Sequence, residues 1–302
     1  MMLKVAFRPE YIQFLPEGHR FPMKKYDLIP KQLLLEGICK DENFFAPGLP
    51  DEKYILNVHG ADYFYDLLNL KIPHREARKI GFPLSRSLVY RERVIAMGTM
   101  QACDFALENG IAMNIAGGTH HAYANHGEGF CMLNDQAIAA RYLQENNKAE
   151  KILIVDLDCH QGNGTAKIFE GDDSVFTFSM HGKKNYPFKK ENSDLDIELE
   201  DGTEDEFYLK KLKETLPGLI EEVKPDFIFY LSGVDILATD KLGRLNCSIA
   251  GCKERDRFAL QTFKNAGLPV EVSMGGGYSK EIIYIIEAHA NTYRMADDIF
   301  FS

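Results

Sequence analysis

The stretch Ile152–Gly164, ILIVDLDCHQGNG, decides the fold. Its opening ILIV is apolar and mostly β-branched, which suits a strand buried on both faces. Directly after it Asp156, Asp158 and His160 stand at i, i+2 and i+4, so an extended backbone turns all three toward one face. The following QGNG tightens the turn. An apolar strand that delivers two carboxylates and an imidazole into a glycine-containing loop suggests a metal site, with Asp158 and His160 as ligands and the deeper Asp156 as a supporting carboxylate or a cation site. A lone DxH would be weak evidence, since a strand running into a polar loop has the same look.

The neighbouring sequence strengthens the reading. Further β-branched apolar runs begin at Leu3 (LKVAF), Ile111 (IAMNIA), Val175 (VFTFSM), Phe227 (FIFYLSG) and Val270 (VEVSM). Between them lie helix-like segments such as the one from Glu92, which Gly110 ends. Alternating strands and helices predict a mostly parallel sheet with helices on both faces, and one domain over residues 1–302 is the simplest organisation. The polar stretch Lys183–Glu206 is expected to be a long surface loop before a helix.

Ligands of such sheets bind beyond the carboxyl ends of the strands. There the chain carries GGTHH from Gly117, DLDCHQGNG from Asp156, SGVD from Ser232 and GGGY from Gly275. Asp235 would be the third ligand, and two carboxylates plus one imidazole leave a coordination position open, as in a catalytic site. Zn²⁺ suits this set, and its oxygen-rich character also admits Fe²⁺ or Mn²⁺. Tyr278 brings a phenol to the same rim, where it could donate to a polarised carbonyl and the oxyanion formed from it. Taken alone, Asp235 reads equally as a turn residue and Tyr278 as a surface tyrosine. The adjacent His120 and His121 diverge on their loop, so one of them can serve as general base and acid. Asp156 is a natural partner for one ring and Asn163 for the other.

Composition bounds the rest. With 302 residues and 45% hydrophobic content the chain can bury a large core. No apolar run approaches the roughly 20 residues of a membrane span, and the start MMLKVAFRPEYIQF lacks the pattern of a secretory leader. Six scattered cysteines without a CxxC pair point to reduced thiols and a cytoplasmic location. A net charge of −10 argues against direct nucleic-acid binding. It would suit a basic substrate, although most acidic proteins have none.

Taken together, GGTHHA, GEGFCMLND, VDLDCHQGNGT, SGVDILATDKLG and GGGY resemble the histone deacetylase superfamily over nearly the whole chain. HQGNG and PEGHRFPMKKY look most like its class IV branch and bacterial relatives. The resemblance implies the arginase/deacetylase fold, a single-domain three-layer α/β/α architecture. It further implies a zinc-dependent hydrolase that removes acetyl or longer acyl groups from lysine side chains of proteins or peptides. Matching positions make Asp158, His160 and Asp235 the metal ligands, Tyr278 the transition-state tyrosine, His121 the base and acid, and His120 its electrostatic partner backed by Asp156. Gly129, Phe130 and Leu242 match the substrate tunnel. Asp156, Asp158, His160, Ser179 and Met180 match a K⁺ or Na⁺ site built partly from backbone carbonyls.

One departure from class I is Asn163, where those enzymes carry aspartate; a neutral partner should leave His121 less basic. Two rivals remain at this level. A deacylase of small amines such as acetylpolyamines would use the same centre, and a catalytically silent acyl-lysine binder would be expected to have lost a ligand or the tyrosine. A two-metal ureohydrolase would need more aspartates than the single DLDCH offers.

Overall fold

The computed structural model describes residues 2–302. Eight strands form one sheet: β1 (Lys4–Ala6), β2 (Phe44–Phe45), β3 (Ile111–Asn114), β4 (Ile152–Asp156), β5 (Val175–Gly182), β6 (Leu195–Leu199), β7 (Phe227–Leu231) and β8 (Val270–Ser273). Their order is β2-β1-β3-β8-β7-β4-β5-β6, and every pairing is parallel. This is the fold class expected. All six strands read from the sequence are present, and their four central members, β3, β8, β7 and β4, are buried throughout, as parallel strands covered on both faces must be.

Two strands lie outside the sequence reading. β6 runs through Lys183–Glu206, which therefore is not one continuous loop. Its LDIEL alternates apolar and acidic residues, as a half-exposed edge strand does, and the charge density around it masks that period. β2 has only two residues, too few for any periodicity. The helix expected from Glu92 begins earlier, at Arg86, where the Ser85 hydroxyl accepts the Leu88 N–H at 3.2 Å, and it ends as expected before Gly110 at φ +87°.

Two groups of helices pack on the sheet. Arg86–Asn109 packs with Asp135–Glu145, while Ile249–Asn265 lies between Asp205–Val223 and Ile282–Phe301. No described helix is long and apolar enough to cross a membrane, and all six cysteines are free and buried.

The topology positions the chemistry. After β3 the chain skips two places to β4 and builds outward through β5 and β6, and only later do β7 and β8 fill the gap. The loops leaving β3, β8, β7 and β4 are thereby neighbours at one end of the sheet, at the point where its winding reverses.

Candidate active site

At the end of β4, His160 Nδ1 lies 3.0 Å from Asp158 Oδ1 and 3.0 Å from Asp235 Oδ2. The three side chains are buried, so two carboxylates converge where water cannot screen them. Burial first, and then the neighbouring Asp158 carboxylate, push Asp235 up to about 7. Without a cation this cluster must retain protons, which is the electrostatic character of a metal site. The ligand atoms of a tetrahedral ion with bonds of about 2.0–2.1 Å stand about 3.3 Å apart, close to the spacing observed. Cys159 also brings its Sγ near, the candidate ligand atoms of all four residues lying within 4.8 Å of one another. Its main-chain N–H donates to Asp235 Oδ1 at 2.9 Å.

Glycine is required around these carboxylates. A Cβ on Gly276 would lie 2.2 Å from Asp235 Oδ2, and its N–H donates to Asp158 Oδ2 at 2.9 Å. From below, the fully buried Arg255 donates through Nη1 to Gly233 O at 2.5 Å and is paired with Asp256 at 2.8 Å. It pins the SGVD turn that carries Asp235. Lys25, also fully buried, donates to Gly275 O at 3.0 Å and holds the GGGY loop; burial lowers it to about 8.

The histidine pair divides between the two expected partners. His120 Nδ1 lies 2.7 Å from Asp156 Oδ2, and His121 Nδ1 lies 2.6 Å from Asn163 Oδ1. The rings are 4.1 Å apart, centre to centre, and both are buried. Burial opposes the charged form of His120, but the Asp156 carboxylate outweighs it and raises that imidazole above its usual value. For His121, burial and then the adjacent His120 and His160 act together, and the ring is held well below its usual value.

Sequence reasoning missed how Asn163 is itself oriented. Its Nδ2 donates to Glu128 Oε1 at 2.6 Å and to the Tyr123 hydroxyl at 3.0 Å, which leaves Oδ1 facing His121 as an acceptor. Glu128 lies in the quoted GEGFC, but as a charged residue between glycines it reads as a solvated loop position. The ring of His126, which carried no assigned role, stacks on Tyr123 at 4.3 Å. Asn134 and Asp135 secure the histidine loop from behind: the Asp135 carboxylate accepts the Thr119 N–H at 2.8 Å, and Asn134 Nδ2 donates to Ala122 O at 3.2 Å.

A cavity of about 660 Å³ leads outward from His121 and His160 between Gly129, Phe130, Tyr186, Leu242 and Tyr278. The expected tunnel residues therefore share one wall system. Gly129 has φ +57°, and a Cβ there would lie 2.5 Å from His121 Cδ2. Phe130 holds φ +67°, costly for an aromatic residue, and its ring lies 5.9 Å from that of Tyr278. The Tyr278 N–H donates to Asp240 Oδ2 at 2.5 Å. Burial and then the Asp158 and Asp235 carboxylates raise the phenol well above its usual value, so it remains a hydrogen-bond donor. Among the residues of the expected monovalent-cation site, Asp156 pairs with Ser179 across β4 and β5, and Ser179 and Met180 are buried.

A sequence profile of the histone deacetylase domain matches residues 19–292. The chain belongs to the histone deacetylase family. It is 43% identical over 300 residues to an uncharacterized protein of Picosynechococcus sp., covering 99% of this chain and 100% of that one. It is 29% identical over 277 residues to histone deacetylase 2 of Arabidopsis thaliana, covering 89% of this chain and 72% of the plant protein. The crystal structure of a histone deacetylase homologue from Aquifex aeolicus superposes with a TM-score of 0.84 at 23% identity, covering 98% of this chain and 84% of that one. The architecture is thus that of the histone deacetylase fold, and family membership supports a deacetylase-type hydrolase.

Proposed function

We propose that the protein is a metal-dependent lysine deacylase, probed best with acetyl-lysine and long-chain acyl-lysine peptides. The observation that carries this reading is the convergence of the Asp158, His160 and Asp235 cluster, the partnered histidine pair and Tyr278 at the inner end of one cavity. Gly129, Phe130 and Leu242 would grip the apolar stem of the acylated side chain. A divalent ion held by Asp158, His160 and Asp235, Zn²⁺ by preference, would supply Lewis-acid polarisation of the amide carbonyl and of the attacking water.

The remaining steps belong to the chain's own residues. His121 donates Nδ1–H to Asn163 Oδ1, so its Nε2 is free to take the proton of the water. Tyr278 donates its phenolic proton in a hydrogen bond to the developing oxyanion. His121 then returns the proton to the departing amine, which leaves as the neutral lysine amine with the acyl group released as its acid. His120, pulled toward its charged form by Asp156, stabilises the negative charge that builds up beside it. Asp156, Asp158, His160, Ser179 and Met180 would also hold a K⁺ or Na⁺ that stiffens the strand ends.

Substituting Tyr278→Phe removes one oxyanion donor and should lower turnover by about 10²–10³, with the bound metal content unchanged by elemental analysis. Turnover near the wild-type level in that variant overturns the role given to Tyr278.

A further inference from the structure

The mouth of the cavity has a charge opposite to that of the molecule around it. Arg20, Arg78, Lys79, Lys184, Lys241 and Arg244 line it, and no aspartate or glutamate does. All six are exposed. The chain as a whole carries 45 acidic against 35 basic residues, so a chance sampling of its surface would give a mixed or acidic rim. Asp201 reaches Arg244 at 3.2 Å and Lys184 at 3.9 Å. Among the described residues, Arg20, Arg78, Lys79 and Lys241 form no ion pair. Arg78 and Lys79 also close the last turn of the helix His74–Ile80, where cations are favoured by the helix dipole. That accounts for two of the six.

These cations come from four separate segments: the chain before the helix Lys25–Leu35, the helix His74–Ile80, the loop after β5 and the loop after β7. Six like charges with Asp201 as their one acidic partner among the described residues repel one another and focus a positive potential on the opening. Beside them the Phe188 ring, 87% exposed, offers an apolar surface at the same rim.

We propose that this rim selects acyl-lysine segments that carry aspartate or glutamate beside the acylated residue. The proposal rests on the deacylase reading above and names the class of substrate that reading would take. A basic tail or an acetylated polyamine would meet repulsion at the mouth. Nucleic acid would find the cations but has no acylated amine to send down a cavity that ends at His121 and His160.

The test uses three fluorescein-labelled peptides with one central acetyl-lysine, flanked by Asp and Glu, by Ser and Gly, or by Lys and Arg. Binding to the full-length protein is read by fluorescence polarisation, and turnover separately by mass spectrometry. At low salt the acidic peptide should bind about tenfold tighter than the neutral one and the basic peptide weakest. At about 0.5 M NaCl the spread should shrink to roughly twofold, because exposed charges are screened. The double variant Arg78→Glu/Lys241→Glu, shown to be folded by its melting temperature, should lose the acidic preference. Equal binding of the three peptides, a preference that salt does not weaken, or tighter binding of a single-stranded oligonucleotide than of the acidic peptide overturns the proposal. Acidic preference in binding, with no turnover of any of the peptides or of their long-chain acyl versions by the metal-loaded protein, leaves the charge selection by the rim standing and overturns the deacylase reading. Turnover without charge preference does the reverse.

Discussion

His120 and His121 are adjacent in the chain, equally buried, and 4.1 Å apart ring to ring, yet they occupy opposite electrostatic regimes. His120 leans on the Asp156 carboxylate and is pulled toward its charged form. His121 leans on a neutral amide and is pushed toward its neutral form. Two imidazoles with the same intrinsic chemistry are thereby biased in opposite directions by the atom behind each ring, which under the proposed mechanism suits one to carry charge and the other to accept a proton. The difference depends on the Asn163 amide staying in one orientation, in which its Nδ2 donates to the Glu128 carboxylate and, at longer distance, to the Tyr123 hydroxyl.

The comparison is broken most severely by deleting each ring in turn. His121→Ala should reduce turnover of an acyl-lysine peptide by about 10³ and His120→Ala by about 10², within the range for general acid–base groups. Steady-state kinetics that show the reverse order would assign the base to His120 instead.

A smaller effect isolates the orienting carboxylate. In Glu128→Ala the Asn163 amide is free to turn its Nδ2 toward His121, which forces the ring into the tautomer with a protonated Nε2. Turnover should fall about tenfold, the size typical of lost supporting hydrogen bonds, with KM changed by less than about twofold. Glu128→Gln retains an acceptor for Asn163 and should recover most of the loss. If Glu128→Gln is as impaired as Glu128→Ala, the charge of Glu128 matters and its orienting role does not.

What the sequence makes legible here follows a physical division. Contacts between residues close in the chain, or at the ends of strands with strong apolar patterns, are readable: the Asp156, Asp158 and His160 face, the Gly110 helix end, and the six β-branched apolar strands. The two partners of the histidine pair are also readable, because DLDCHQGNG holds both, while which ring takes which partner follows only from the family resemblance. Glu128 is less so, because its effect passes through Asn163, 35 positions away. The basic rim is illegible for the same reason, since four segments contribute to it and none is a charge run. Overall composition, with 45 acidic against 35 basic residues, gives no sign of a basic rim. Arg255, which supports the Asp235 turn through carbonyls at Ser232 and Gly233, reads in sequence as one more polar residue of a helix.

The mildest probe of the comparison lies behind the His121 arm. His59 Nδ1 lies 3.0 Å from Tyr123 O, and its Nε2 accepts the Asn134 N–H at 2.9 Å. Burial lowers this imidazole from 6.5 to about 4. The folded protein therefore excludes a proton that the unfolded chain accepts below pH 6.5. Its contribution is intact above pH 6.5 and is lost as the pH falls toward about 4, at up to about 1.4 kcal/mol per pH unit. Urea titrations at pH 7.5, 6.0 and 5.0 should show a steeper loss of stability in the wild type than in His59→Gln, which cannot titrate. Parallel losses in the two proteins would remove His59 from the supports of this arm.

The most direct test of a metal-dependent deacylase is turnover of acetyl-lysine and long-chain acyl-lysine peptides, followed by mass spectrometry, with protein stripped by chelator and reloaded with one equivalent of Zn²⁺, Fe²⁺ or Mn²⁺. Hydrolysis should be absent in the stripped protein, as verified by elemental analysis, and should return with the metal. Undiminished hydrolysis after verified metal removal, or none of either peptide with any of the three ions bound, would contradict it.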